Sequence, residues 1–356
     1  MKILQVITSL RTGGAERLLI DLVPMLKAKG HEVDVALFDG VQTPLKRQLE
    51  ETGCKIYSLG KSVYSLSNLW KLARIMRKYD IVHTHNTAPQ LYSAIGSVLF
   101  RTFLVTTEHS TSNRRRNRKW YVPIDRWMYS RYKKVICISE KAEENLKKHL
   151  GHIKAEICVV HNGVNVEMFA TAQADEELSG NKQRFAIVMV AGFRYEKDQD
   201  TLIKAVSLLP EDKFELWLVG EGERRDVLKE LSKTLGVEKR VKFLGLRTDV
   251  PRVLHAADAV AMSSHFEGLS LSNIEGMAVG KPFVASDVDG LHDVTIGAGI
   301  LVAHGNEQAF ADEFLRLAED REYYCQVADA CFQRAKQFDI KTMVDAYEEI
   351  YMQLKG

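Results

Sequence analysis

Two carboxylates, Glu267 and Glu275, stand eight residues apart where a glycine-containing loop meets a helical run. Ser270 or Ser272 can cap that helix, residues 271–279 form its body, and Gly280-Lys281-Pro282 stop it. A helix start behind a small-residue loop offers free N–H groups and a positive dipole end, which suits a phosphate. On one helix the two backbones would be roughly 12 Å apart. A carboxyl pair acting as acid and base on one glycosidic bond is about 5–9.5 Å apart. Glu267 and Glu275 are thus better suited to holding the two ends of an elongated ligand with phosphates in its middle.

Other segments offer complementary chemistry. Residues 8–17, Thr-Ser-Leu-Arg-Thr-Gly-Gly-Ala-Glu-Arg, lead from a first strand into a helix, and Gly13 and Gly14 let a ligand approach the backbone closely. They do not spell GxGxxG, so a nicotinamide cofactor gains no support. Arg194 and Lys197 follow a later strand, and two cations facing a helix start form a plausible diphosphate clamp, although a lone loop cation is usually just solvated. Asp287-Val288-Asp289 has the DxD form of a metal-dependent sugar-nucleotide site. Positive charge from Lys197 and the helix end argues against a metal there, and no metal or cofactor is expected. His83 and His85 lack helical ligand spacing and read as hydrogen-bonded or acceptor-side histidines. Gly220-Glu221-Gly222 reads as a strand-to-helix turn.

These residues need a scaffold that aims loops. Strand-like runs at 2–7, 32–38, 55–59, 81–84, 103–107, 135–138 and 157–160 alternate with amphipathic stretches such as 15–29, 66–78 and 140–150. The alternation restarts at 185–190, 214–219, 241–244, 259–262 and 283–285, after a polar stretch, 169–184, that reads as a linker. Continuous apolar strands between helices mean parallel sheets covered on both faces. Two such halves predict an α/β chain of two doubly wound domains facing a central cleft, with the carboxyl ends of the strands toward it. A length of 356 residues fits two domains. A net charge of +2 lacks the basic excess of a nucleic-acid binder. Five cysteines without CxxC or histidine grouping read as reduced thiols of a cytosolic protein. The apolar run after Met1-Lys2 is too short for a signal peptide, and no stretch reaches the roughly 20 residues of a membrane span.

The ordered set Gly13-Gly14-Ala15-Glu16, Asn162-Gly163-Val164, Glu196-Lys197, and Glu-x7-Glu before Gly-Lys-Pro resembles family 4 retaining glycosyltransferases of the GT-B fold, of the bacterial surface-polysaccharide type. Residues 105–110 and 241–245 are also similar to family segments. The resemblance implies a Rossmann-like acceptor domain over 1–168, with a helix at 340–356 packing back on it, and a donor domain over 169–339. It implies that Glu267 holds hydroxyls of the donor sugar and that amides around Gly268, Leu269 and Ser270 meet sugar and phosphates. Glu275 would hold the ribose, Lys197 and Gly14 the diphosphate, and Gly245 the base, with His109 beside the transferred sugar. Gly13, His85 and Asn162 would lie on the acceptor side. The chain departs from the pattern at Gly192, where many members carry arginine, and Arg194 is the candidate replacement.

The implied activity is retaining, metal-independent hexosyl transfer from a nucleotide-diphosphate sugar, UDP preferred, to a glycan or lipid-linked oligosaccharide in capsule, O-antigen or exopolysaccharide synthesis. The alternatives are a sugar-nucleotide epimerase and a lapsed nucleotide-binding partner subunit, with a dinucleotide oxidoreductase well behind. Residues 114–134 interleave arginine and lysine with tryptophan and tyrosine. That pattern suits peripheral contact with an anionic membrane, here the inner face of the cell membrane, as well as it suits a solvated loop; nucleic acid is a weaker reading.

Overall fold

A computed structural model describes residues 1–11, 13–60, 63–98, 102–110, 119–267 and 271–355. The chain divides into two units, Met1–Gly163 with Ile340–Gly356, and Val164–Asp339.

The first unit is built on seven parallel strands: β1 Lys2–Ile7, β2 Glu32–Leu37, β3 Ile56–Ser58, β4 Ile81–His85, β5 Phe103–Glu108, β6 Lys134–Cys137 and β7 Glu156–Val159. Their spatial order is β3-β2-β1-β4-β5-β6-β7, so the chain reverses direction across the sheet between β1 and β4. Alternation along the strands splits the core in two. Ile3, Ile7, Ile81, Val105 and Ile136 face one side, and Leu4, Val6, Val82, Leu104 and Val135 the other. The first side is covered by the helices Gly14–Ala28 and Ile340–Lys355, which bury Leu18, Leu22, Met343, Tyr347 and Tyr351 against it.

The second unit has six parallel strands: β8 Phe185–Val190, β9 Phe214–Val219, β10 Val241–Gly245, β11 Ala259–Met262, β12 Phe283–Ser286 and β13 Ile300–Val302. Their order is β10-β9-β8-β11-β12-β13, with the reversal between β8 and β11. The edge strand β13 has no counterpart in the sequence reading, being only three residues long. The helix Leu271–Ala278 lies on this sheet through Gly276, where a Cβ would come within 2.8 Å of both Phe283 and Val260. Gly280, at φ 68, ends it in the left-handed region.

Two expectations are corrected. The stretch 169–184 is not a linker: it carries the helices Val166–Thr171 and Glu176–Gly180 and belongs to the second unit. Phe169 sits in that unit's core, and Asp175 caps the second helix while pairing with Arg247 at 2.5 Å. The boundary accordingly falls at Gly163–Val164 rather than 168, because Val164 and Val166 are buried with the second core.

Candidate active site

In open parallel sheets, ligands gather beyond the carboxyl ends of the strands that flank the reversal of strand order. In the second unit those strands are β8 and β11, and the loops that follow them carry Lys197 and Glu267. The two side chains, seventy residues apart in sequence, form a direct ion pair. Ser264 Oγ donates to the same Glu267 oxygen at 2.8 Å. The loops are strapped together by His265 N–H donating to Glu196 O (2.9 Å) and Ser263 Oγ to Asp198 O (2.6 Å). Sequence reasoning expected Lys197 and Glu267 at one ligand; the fold shows them as each other's partners. Gly268, Leu269 and Ser270 lie outside the described residues. Ser272 lies inside the helix Leu271–Ala278, so it is not its cap.

Arg194 is exposed and has no ion pair among the described residues, which leaves its guanidinium available. Arg224 is engaged instead, in a bidentate pair with Asp200 at 2.7 and 2.9 Å, and the motif reading had not singled it out. Gly245 ends β10 at φ 69, and its carbonyl accepts from Gly220 N–H at 2.8 Å. Gly220 and Gly222 form the expected turn, and a Cβ on either would strike the carbonyl of Ala191 or Phe193. Their smallness lets the loops after β8 and β9 lie side by side. Glu275 is half-buried on its helix. In the DxD segment, Asp287 Oδ1 lies 2.5 Å from His292 Nδ1, and this bond raises the pKa of the exposed imidazole.

At the reversal of the first unit, β1, β4 and β5 run side by side with Gln5 opposite His83 and His85 opposite Thr107. All four project from the face covered by the helix Ile340–Lys355, whose Tyr347 and Tyr351 complete a hydrogen-bonded network. The protons can be followed from its shortest contact. Tyr351 OH is 2.5 Å from His83 Nδ1 but 3.4 Å from Gln5 Nε2, so it donates to the imidazole and accepts from the amide. Neutral His83 then donates from Nε2 to Thr107 Oγ1 at 2.8 Å. Gln5 Oε1 accepts from His85 Nε2–H at 2.8 Å, which leaves His85 Nδ1 to accept from His109 Nε2–H, also at 2.8 Å. His109 Nδ1 therefore ends the chain as a lone pair, buried and without a hydrogen-bond partner among the described residues. Burial keeps all three rings neutral: His83 is held down to about 3, His109 to about 4, and His85 well below the ordinary value.

His109 lines a pocket of about 270 Å³ together with Asn86, Gln90 and Glu108. Asn86 Oδ1 is a second buried acceptor without a partner there, on a residue held at φ 71. Of the two readings given for His85, hydrogen-bonded or acceptor-side, the structure shows the first. It is fully buried, with its ring nitrogens hydrogen-bonded to His109 and Gln5. Asn162 is buried at the end of the first unit, and its Oδ1 lacks a partner among the described residues. Gly13 and Gly14 are exposed at the start of their helix. A Cβ on Gly13 would lie 2.2 Å from Glu16 Oε2, so the Glu16 carboxylate folds back over that helix start. A larger hollow of about 530 Å³ beside Asp258, Lys281 and Arg321 lies at the amino ends of β8 and β11, away from this chemistry.

Two doubly wound sheets, each with its polar groups at the strand reversal, define a GT-B architecture of the glycosyltransferase kind. The sequence pattern of Glycosyl transferases group 1 matches residues 171–337, and that of Glycosyltransferase Family 4 matches residues 12–168. The chain belongs to the family 4 glycosyltransferases. It is similar to the UDP-Gal:alpha-D-GlcNAc-diphosphoundecaprenol alpha-1,3-galactosyltransferase of Escherichia coli, 27% identical over 85% of this chain and 82% of that one. It is also similar to the lipopolysaccharide core biosynthesis glycosyltransferase LpsD of Rhizobium meliloti, 26% identical over 95% of both. Among solved structures, Anabaena Alr3699/HepE in complex with UDP aligns over 99% of this chain and 100% of that one, with a TM-score of 0.85 and 25% identity.

Proposed function

We propose that the protein transfers a hexosyl group from a UDP-sugar to a glycan or lipid-linked acceptor of a surface polysaccharide, with retention of anomeric configuration and without a metal ion. The observation that carries this reading is the Lys197–Glu267 pair at the strand reversal of the second unit. A cation and a carboxylate that already touch can turn to the diphosphate and the sugar of one donor. The Anabaena HepE structures with UDP, with UDP and glucose, and with UDP-glucose support uridine as the base. The Escherichia coli relative supports a diphosphate-linked lipid as acceptor. In this scheme the acceptor oxygen bonds to the anomeric carbon on the face that the leaving group departs. The bond to the β-phosphate breaks, and the departing phosphate takes the acceptor proton. Lys197 and the start of the helix Leu271–Ala278 offset the charge that develops on the diphosphate. Glu267 holds the donor sugar, Glu275 the ribose, Gly245 the base, and Gly14 and Arg194 assist the phosphates. Neutral His109 offers its free Nδ1 to a sugar hydroxyl.

A panel of sugar nucleotides screened for thermal stabilisation identifies the donor. Product formed from it in excess chelator is then examined for its anomeric configuration. An inverted product would sink retention, and activity abolished by the chelator and restored only by Mg²⁺ or Mn²⁺ would sink metal independence.

The same reading has the first unit dock peripherally on the inner face of an anionic membrane. No helix among the described residues is long and apolar enough to cross one. Trp120, Ile124 and Trp127 are 60%, 42% and 42% exposed at helical spacing, near exposed Arg131 and Lys133. Arg114–Arg116 lie outside the described residues. The double variant Trp120→Ser, Trp127→Ser should lose co-sedimentation with vesicles containing anionic lipid, and unchanged pelleting would remove the membrane from the scheme.

A further inference from the structure

Three donor atoms of the second unit converge on one point that the transfer reaction does not use. His265 Nδ1 lies 2.6 Å from His304 Nε2 and 3.6 Å from Asp198 Oδ2, and one donor atom from each of the three residues lies within 4.8 Å of the others. The two imidazoles share one hydrogen bond, and the 3.6 Å approach of His265 Nδ1 to Asp198 is too long for another. The Asp198 oxygen nearest His265 is the one that accepts from Thr201 Oγ1. A cation satisfies all three at once.

Asp198 is held for such a role. It has φ 47 and ψ 47, a left-handed conformation that only a few non-glycine residues adopt, at a cost of about 1–2 kcal/mol. It occupies the position before the helix Gln199–Leu208, yet its side chain makes no capping bond to that helix's backbone. The carboxylate instead accepts from Thr201 Oγ1 at 2.7 Å, through the same oxygen that faces His265, and is almost fully buried. This is the outer hydrogen bond that orients a ligating carboxylate. His265 is fixed by its backbone bond to Glu196 and by its ring against Tyr195, with centroids 4.6 Å apart. His304 is exposed, so the third ligand is free to adjust.

We propose that Asp198, His265 and His304 bind one divalent cation of the zinc class. Two imidazole nitrogens and one carboxylate oxygen are the donor set that zinc and its neighbours select, with a fourth position open to water. Tetrahedral bonds of about 2.0–2.1 Å require donors roughly 3.3 Å apart. The two nitrogens must therefore open, which the exposed His304 allows, while the 3.6 Å span to Asp198 already fits. The cation takes no part in bond making. It ties the turn at His304 to the two loops whose next functional residues are Lys197 and Glu267, and so stiffens the donor side.

The test uses the full-length protein without a histidine tag, stripped with chelator and titrated with Co²⁺ as an optical reporter and with Zn²⁺ followed by thermal denaturation. The expected result is one equivalent of Co²⁺ with visible bands of a four- or five-coordinate nitrogen–oxygen site, and a rise in melting temperature with Zn²⁺. His304→Ala, at an exposed position, should lose the bands without loss of folding. Thr201→Val should weaken binding by roughly tenfold through the outer hydrogen bond. Asp198→Asn keeps a residue that tolerates the left-handed backbone and should also abolish the site. Absence of a stoichiometric equivalent, or binding unchanged in both His304→Ala and Asp198→Asn, would overturn the proposal. None of these readouts depends on donor or acceptor, so their failure would leave the transferase reading intact.

Discussion

The two units solve the same topological problem with opposite chemistry. Each reverses strand order once, and each puts its polar residues just there. In the second unit the reversal carries formal charge: Lys197 against Glu267, and Arg224 against Asp200 nearby. These side chains are half-open, where a charge can exchange its protein partner for a ligand at small desolvation cost. In the first unit the reversal is lined by neutral hydroxyls, an amide and two imidazoles, His83 and His85, fully buried beneath the C-terminal helix, with the half-buried His109 beyond them at a pocket. Burial there makes charge expensive and proton direction definite, so the network ends in one oriented lone pair, His109 Nδ1. On the proposed reading, one fold would position a phosphate and a hydroxyl by different means: mobile charge for the first, locked tautomers for the second.

The largest expected effect breaks the charged half. Lys197→Ala should lower turnover by roughly 10²–10³-fold, the cost of removing one preorganised stabiliser of developing charge. Donor-induced thermal stabilisation should change far less, and near-normal turnover would remove Lys197 from the departing phosphate.

Acid separates the halves next. His83 is held near 3 and His109 near 4, with His85 also depressed. Below the ordinary value of 6.5 the unfolded first unit takes up protons that the folded one refuses. Its stability is whole above that pH and is lost as pH falls toward the folded values. At His292, in the second unit, the shift runs upward on the bond to Asp287. Hydrogen exchange followed from pH 7 down to the carboxylate range should show protection falling in β1, β4 and β5 before β8 and β11. Simultaneous loss would contradict the neutral network.

Two conservative changes sharpen the contrast locally. Tyr351→Phe strands His83 Nδ1 and should cost about 1–3 kcal/mol in the first unit, readable in its denaturation midpoint. Gly276→Ala drives a methyl into Phe283 and Val260 and should cost about 1–3 kcal/mol in the second. Either variant shifting the other unit's transition instead would show the two to be energetically fused. The smallest effect is expected at the DxD segment. Asp287→Asn with Asp289→Asn should leave turnover within about twofold, consistent with the near-neutral effect of most surface substitutions. A large loss would restore a role for that pair.

Much of this was legible in the residues themselves. Apolar runs three to seven residues long between amphipathic stretches dictate buried parallel strands, because no other element hides both faces of a short chain segment. Glycines before helices, and Glu-x7-Glu before a helix stop, are local signals and survive without tertiary context. What was illegible had no local signal. The polar stretch 169–184 looks like a linker until Phe169 and Asp175 find partners far along the chain. Edge strand β13 is too short for periodicity.

The sequence by itself determined the two-sheet architecture, the order of its elements and the residue types available at each loop, since these follow from hydrophobic period and turn chemistry. Tertiary structure alone decided that Lys197 meets Glu267 across seventy residues and that Tyr351 reaches back 268 residues to His83. It also decided which nitrogen of His109 is left bare. A proton's position depends on every partner in a hydrogen-bonded network, and those partners are assembled only when distant strands and the last helix pack together.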